Sequence, residues 1–199
     1  MLSVVIPTIS GREESLARTL ASYEATLKGV AHEIIVVKDE NSWPRACNIG
    51  YGRSKGDVIH WTADDLEAAP GWYADIPAFL ENDEIPAPAV YDYRLDGKFS
   101  NEEDGEDQAL AWFTRVPLCR RDQAERIGLW PEITYYADVW FSEKARTVGI
   151  ETRLLYSYAF IHHWCGVGRV DSQHNLRRAW VELNVLCQQM KEEQDASPV

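Results

Sequence analysis

The sequence predicts an α/β protein with a central, mostly parallel sheet flanked by helices, on three observations. Short apolar, β-branched runs alternate with longer segments of helical character through the first half of the chain, as crossover helices joining parallel strands require. The 199 residues, 45% of them hydrophobic and 26% charged, suit one compact unit with a continuous core. Polar residues follow the carboxyl ends of the first three apolar runs, where open parallel sheets bind their ligands.

Leu2–Ile6, Glu33–Val37 and Val58–Thr62 are the expected strands. Between the first two, Glu14–Lys28 carries Leu16, Leu20, Tyr23 and Leu27 at steps of three and four, which gives one apolar stripe, and Gly29 follows as a stop. Pro44–Arg53 supplies a short helix before the third strand, and a helix from Gly71 to Asn82 follows it. Further on, Ala89–Tyr93 and Ala111–Arg115 read as strands, Arg121–Ile127 and Asp138–Thr147 as helices, and Glu151–Leu155 and Ala159–His163 as strands. Ser172–Glu193 has Leu176, Trp180, Leu183 and Leu186 or Cys187 on one face and reads as an amphipathic helix. We expect a single domain over residues 1–199, made of a first half at 1–95, a second at 96–170 and a C-terminal helix and tail at 171–199.

The formal charge of -12 repels phosphate backbones and anionic lipids at long range. Part of it sits in two acidic stretches, Glu81–Glu84 and Asn101–Asp107, the second read as a solvated loop. No apolar run approaches the ~20 residues that span a bilayer, and Leu2–Pro7 is too short for a signal-peptide core, so no membrane insertion and a cytoplasmic location are expected. Cys47, Cys119, Cys165 and Cys187 form no C-x-x-C pair and read as free thiols.

The strand-end rule singles out Pro7–Thr8, Asp39–Asn41 and Asp64–Asp65. Polar groups fall at all three and carboxylates at two, as a nucleotide with a bound metal requires. The strings SVVIPT, EIIVVKDEN, RACNIG, KGDVIHWTADD and APGW resemble the nucleotide-binding half of family-two glycosyltransferases of the GT-A fold. RVPLCRRDQAERIGLW, YYADVWFSEKARTVG and AFIHHW are similar to that family's acceptor half, in the same order, so the resemblance covers about residues 2 to 165. Lys38, Cys47 and Ala63 depart from the family's usual aspartate, arginine and acidic residue, which reduces the metal motif to Asp64–Asp65.

The resemblance implies an inverting transfer of a sugar from a nucleoside diphosphate, a UDP-sugar, to a hydroxyl acceptor that is a glycan or small molecule. It implies donor contacts from Pro7, Thr8, Asp39, Asp64 and Arg45, with the Asp39 carboxylate accepting the uracil imide N–H. It places Mn²⁺ or Mg²⁺ at Asp65, with a histidine of the pair His162–His163 nearby, since such hard cations take carboxylate and phosphate oxygens. Successive strand residues face opposite ways, so only one of the two histidines enters the site, and His162 is preferred. Asp138 is the implied catalytic base, and Trp130 is offered as a ring that stacks on the acceptor.

Each residue also has a structural role to weigh. Asp39 suits a turn that caps the next helix, Asp64 and Asp65 suit a helix start, and Asp138 suits an N-cap. Two other activities compete. One is transfer to hydroxymethylated bases of phage DNA, for which Arg115, Arg120, Arg121, Arg126, Arg169, Arg177 and Arg178 supply basic groups if they are not paired with acids. The other is a non-catalytic module that binds a nucleotide or sugar. A sugar nucleotidyltransferase is disfavoured by the single glycine in PTISGRE.

Overall fold

The computed structural model describes residues 1–93, 116–133 and 136–163, with a few positions between 185 and 192. Its first sheet runs in the order β2-β1-β3-β6, from β1 (Leu2–Thr8), β2 (His32–Lys38), β3 (Val58–Trp61) and β6 (Leu118–Arg120). β1 is parallel to both β2 and β3, and β6 closes the described edge antiparallel to β3. All seven residues of β1 are buried, as expected of a central strand covered on both faces.

Two helices make the crossovers. α1 (Glu13–Thr26) returns the chain from β1 to β2, with Tyr23 and the C-cap residue Leu27 fully buried. α2 (Trp43–Arg53) returns it from β2 to β3. The Ser42 side chain caps α2 by accepting the Arg45 N–H, and Pro44 sits in the first turn, where its missing N–H costs nothing. α2 lies so close to β1 that a Cβ on Gly50 would stand 2.2 Å from Val5 Cγ1. Only glycine fits there without displacing a core side chain.

A second sheet, β4-β7-β5, comprises β4 (Leu66–Ala68), β5 (Glu84–Tyr93) and β7 (Glu151–His163). β7 is parallel to β5 and antiparallel to β4. The segments Glu151–Leu155 and Ala159–His163, expected as separate strands, are one strand with a register shift opposite Pro88 and Ala89. The expected helix Gly71–Asn82 shrinks to α3 (Ile76–Glu81). Pro77 cannot donate in a helix interior, and Trp72 is fully buried with Nε1 donating to Thr26 Oγ1 at 3.1 Å, which holds the preceding residues in turns.

α4 (Arg121–Ile127) ends at Gly128 in the left-handed region (φ 93°), and α5 (Ala137–Thr147) begins one residue earlier than expected. One core cluster joins Val5, Cys47 and Trp61 to Trp130, Trp140 and Phe141 and is touched by Leu186 of the C-terminal segment. A second joins Leu2, Val4 and Ile6 to Tyr23, Trp72 and Phe160. Cys47 and Cys119 are buried free thiols, whereas Cys165 and Cys187 lie outside the described residues, as do the expected strand Ala111–Arg115 and the acidic stretch Asn101–Asp107. No helix among the described residues is long and apolar enough to cross a membrane.

Candidate active site

β1 has β2 on one side and β3 on the other, so the sheet order reverses at β1 and a crevice opens beyond its carboxyl end. The three strand ends meet there through one run of hydrogen bonds. The Asp39 N–H donates to the Thr8 carbonyl at 2.9 Å. Asp39 adopts φ 58°, and its two carboxylate oxygens accept the Ser10 N–H at 2.6 Å and the Ser10 hydroxyl at 2.8 Å. Asp39 therefore caps the β1–α1 loop, while Ser42 and not Asp39 caps α2. The Ser10 bonds hold the exposed Asp39 carboxylate below its ordinary pKa. Each oxygen keeps a second lone pair for a ligand N–H.

Asp64 is 1% exposed. Thr8 Oγ1 donates to its Oδ2 at 2.5 Å, and Arg12 Nη1 stands 3.0 Å from its Oδ1. Arg12 Nη2 also bonds Asp65 Oδ2, so one guanidinium bridges both carboxylates. Burial raises the Asp64 pKa against the pull of Thr8 and Arg12. Burial also works to raise that of Asp65, but the hydrogen bond and charge of His162 and the charge of Arg12 outweigh it and leave the group below the carboxylate range.

The pairing of β4 with β7 brings the histidines in. Leu66 lies opposite His162, and the His163 N–H donates to the Asp65 carbonyl at 2.8 Å. His162 Nε2 stands 3.4 Å from Asp65 Oδ2, whereas His163 Nε2 bonds Glu67 Oε2 at 2.8 Å. His162 is thus the histidine beside the acid pair. β4 is in turn fixed to α1, because the Ala68 N–H donates to Ser22 Oγ at 3.0 Å. Neither Asp64 nor Asp65 starts a helix: they stand in the turn between β3 and β4.

Asp138 is the second residue of α5, and Tyr136, in the left-handed region (φ 62°), occupies the N-cap. Asp138 Oδ1 accepts the Val139 N–H at 2.9 Å. Phe141 of the same helix packs against Trp61 at the carboxyl end of β3 (ring centroids 5.8 Å apart). Arg45 is exposed on the first turn of α2 and pairs with Glu40 at 3.2 Å and Glu132 at 3.9 Å. Trp130 departs from the expected acceptor platform. It is 3% exposed, stacked on Phe141 at 4.6 Å, and bonded through its backbone to Asn48, so its ring is committed to the core.

The arginines around α4 are engaged as well. Arg120 bonds Asp83 and Asp122, Arg121 bonds Ser54 and the Gly56 carbonyl, and Arg126 bonds Asp83 and the Val148 carbonyl. Arg115, Arg169, Arg177 and Arg178 lie outside the described residues. Sequence reasoning missed Ser10 and Arg12. Their signal is positional: a hydroxyl and a cation in the loop after β1 face carboxylates at the other two strand ends. Among the described residues no three His, Cys, Asp or Glu side chains converge in a group that could hold a metal ion.

No family model matches the chain, and no curated protein matches it in sequence. Solved structures do. The S. aureus TarS fragment 1–349 in complex with UDP-GlcNAc superposes with a TM-score of 0.71 at 13% identity, over 93% of this chain and 66% of that one. The chain therefore has the α/β fold of that fragment, with a central, mostly parallel sheet flanked by helices. The same fragment in complex with UDP gives 0.65 at 13% identity over 93% of this chain and 64% of that one. The longer TarS structure gives 0.64 at 13% identity over 92% and 39%. The chain thus spans from about two fifths to two thirds of the length of these neighbours.

Proposed function

We propose that the protein transfers a sugar, with inversion, from a UDP-sugar to a hydroxyl of a glycan or small molecule. One observation carries the reading: the junction of Thr8, Asp39, Asp64, Asp65 and His162 stands at the sheet's switch point, in a fold whose neighbour TarS has structures with UDP-GlcNAc and with UDP. Asp39 presents exposed oxygens to an imide N–H. Pro7 and Thr8 form the buried end of β1 beneath the nucleotide, with Asp64 behind them. Arg45, exposed on the first turn of α2, supplies a cation at the rim.

Asp65 and His162 offer one carboxylate and one imidazole on the same side of the junction, a donor set that suits Mn²⁺ or Mg²⁺ completed by diphosphate oxygens. Such a cation, when bound, neutralises charge developing on the leaving diphosphate. Asp138 removes the acceptor proton as the acceptor oxygen attacks the anomeric carbon from the face opposite the leaving group. Its place in the first turn of α5, near the positive end of the helix, favours and orients a negative group there.

A panel of nucleotide sugars and hydroxyl acceptors, read by mass spectrometry with and without EDTA, tests the proposal. A new glycosylated product from a UDP-sugar, lost in EDTA and restored by Mn²⁺, is the expected result. Turnover unchanged in excess chelator removes the metal role, and sugar transfer confined to hydroxymethylated DNA removes the acceptor reading.

A further inference from the structure

Arg12 belongs to neither the donor-binding nor the metal-binding set proposed above, yet it makes the central contacts of the site. Its guanidinium reaches Asp64 Oδ1 at 3.0 Å with one nitrogen and Asp65 Oδ2 with the other. The three side chains are 15%, 1% and 12% exposed, so the ion pairs are largely shielded from water. The same Asp65 oxygen stands 3.4 Å from His162 Nε2. Arg12 therefore bonds the oxygen that a cation shared by Asp65 and His162 would take.

We propose that Arg12 is a latch that holds Asp64 and Asp65 in place of a divalent cation and must withdraw before the cation binds, so that cation and nucleoside diphosphate bind cooperatively. The proposal rests on reading Asp65 as the metal site. A guanidinium and a divalent cation on the same Asp65 oxygen repel each other far more strongly in a shielded site than in water, so the two compete for it. Without nucleotide, the cation must break two shielded ion pairs and expel the guanidinium into solvent, which weakens its apparent affinity. A diphosphate in the crevice changes the balance. Arg12 is the N-cap residue of α1, at the end of the β1–α1 loop that borders the crevice, so its side chain can turn without moving the sheet. The planar guanidinium then meets phosphate oxygens, which it recognises in paired hydrogen bonds as it does carboxylates. Linkage makes the effect reciprocal: whatever factor the nucleotide adds to cation affinity, the cation adds to nucleotide affinity.

The experiment measures Mn²⁺ binding to the full chain from the free-ion paramagnetic resonance signal, with and without UDP, corrected for the Mn²⁺–UDP complex in buffer. Wild type should bind Mn²⁺ weakly alone and about tenfold or more tightly with UDP, within the usual range of such couplings. Arg12→Gln should bind Mn²⁺ alone about tenfold or more tightly than wild type, and UDP should add a smaller factor than in wild type, the part that comes from the diphosphate's own oxygens. Arg12→Lys keeps a charge but lacks the planar fork that spans Asp64 and Asp65, and should fall between the two. It also serves if the glutamine variant does not fold. Mn²⁺ affinity that neither substitution raises overturns the latch, while the metal site stands if Asp65→Asn abolishes binding. Binding that Asp65→Asn leaves unchanged overturns the site and the latch together.

Discussion

The Thr8 hydroxyl donates to Asp64 Oδ2 at 2.5 Å, so the last residue of β1 satisfies a carboxylate that is 1% exposed and lies three residues beyond β3. Thr8→Val keeps the shape and removes the donor. A buried acceptor left without its partner costs about 1–3 kcal/mol, and the urea midpoint at pH 7 should fall accordingly. Because the lost bond favours the charged form, the deficit should shrink on acidification as Asp64 takes up a proton. A deficit constant from pH 7 to pH 4 would mean that the threonine matters through packing and not through this bond.

His60 makes a separate prediction about acid. It is fully buried, with Nε2 2.8 Å from the Tyr23 hydroxyl and Nδ1 3.3 Å from the Pro117 carbonyl, so the Nδ1–H tautomer donates to Pro117 and accepts from Tyr23. Burial lowers its pKa to about 3 from the ordinary 6.5. The unfolded chain binds a proton that the folded chain refuses. Stability from this residue is thus complete above pH 6.5 and declines as pH falls towards 3, by about 5 kcal/mol at the end of that window. His60→Gln keeps a partner for Tyr23 and removes the titration. Its unfolding free energy should be lower at pH 7 and flatter between pH 6.5 and 4, and equal slopes in the two proteins would reject the assignment.

Asp138→Asn addresses the proposed chemistry. General-base catalysis contributes ~10²–10⁴-fold, and turnover should drop by that order with UDP affinity nearly unchanged. Asparagine keeps an acceptor for the Val139 N–H, so the helix start is preserved. Wild-type turnover in this variant would leave Asp138 a purely structural first-turn acid.

Asp39 addresses donor choice. Its exposed oxygens, positioned by Ser10, suit bases with an imide N–H, so calorimetry should rank uridine and thymidine diphosphates above cytidine diphosphate. Guanosine diphosphate as the tightest ligand would overturn this role, and Asp39→Asn should narrow the ranking.

The apolar runs alone put Thr8, Asp39 and Asp64 at strand ends, because parallel strands carry their pattern locally. β4 was illegible for the opposite reason. Leu66–Ala68 is three residues long and exists through pairing with β7, which lies about a hundred positions along the chain. The choice between His162 and His163 depended on that pairing too, since register and not composition decides which ring meets Asp65. Arg12 escaped notice because a lone arginine before two glutamates reads as an ordinary helix start. Trp130 misled because a tryptophan beside a proline suits a binding platform as well as a core, and only packing against Phe141 distinguishes them.

The approach of α2 to β1 bears on how this fold drifts. Position 50 has no side chain because Val5 fills the space it would need, so the two sites divide a single volume. A small residue at 5 would make room for alanine at 50, and a large one forbids it. Among homologues the two positions should therefore vary as a correlated pair, leaving a co-evolutionary mark between the first strand and the second helix that owes nothing to ligand or chemistry.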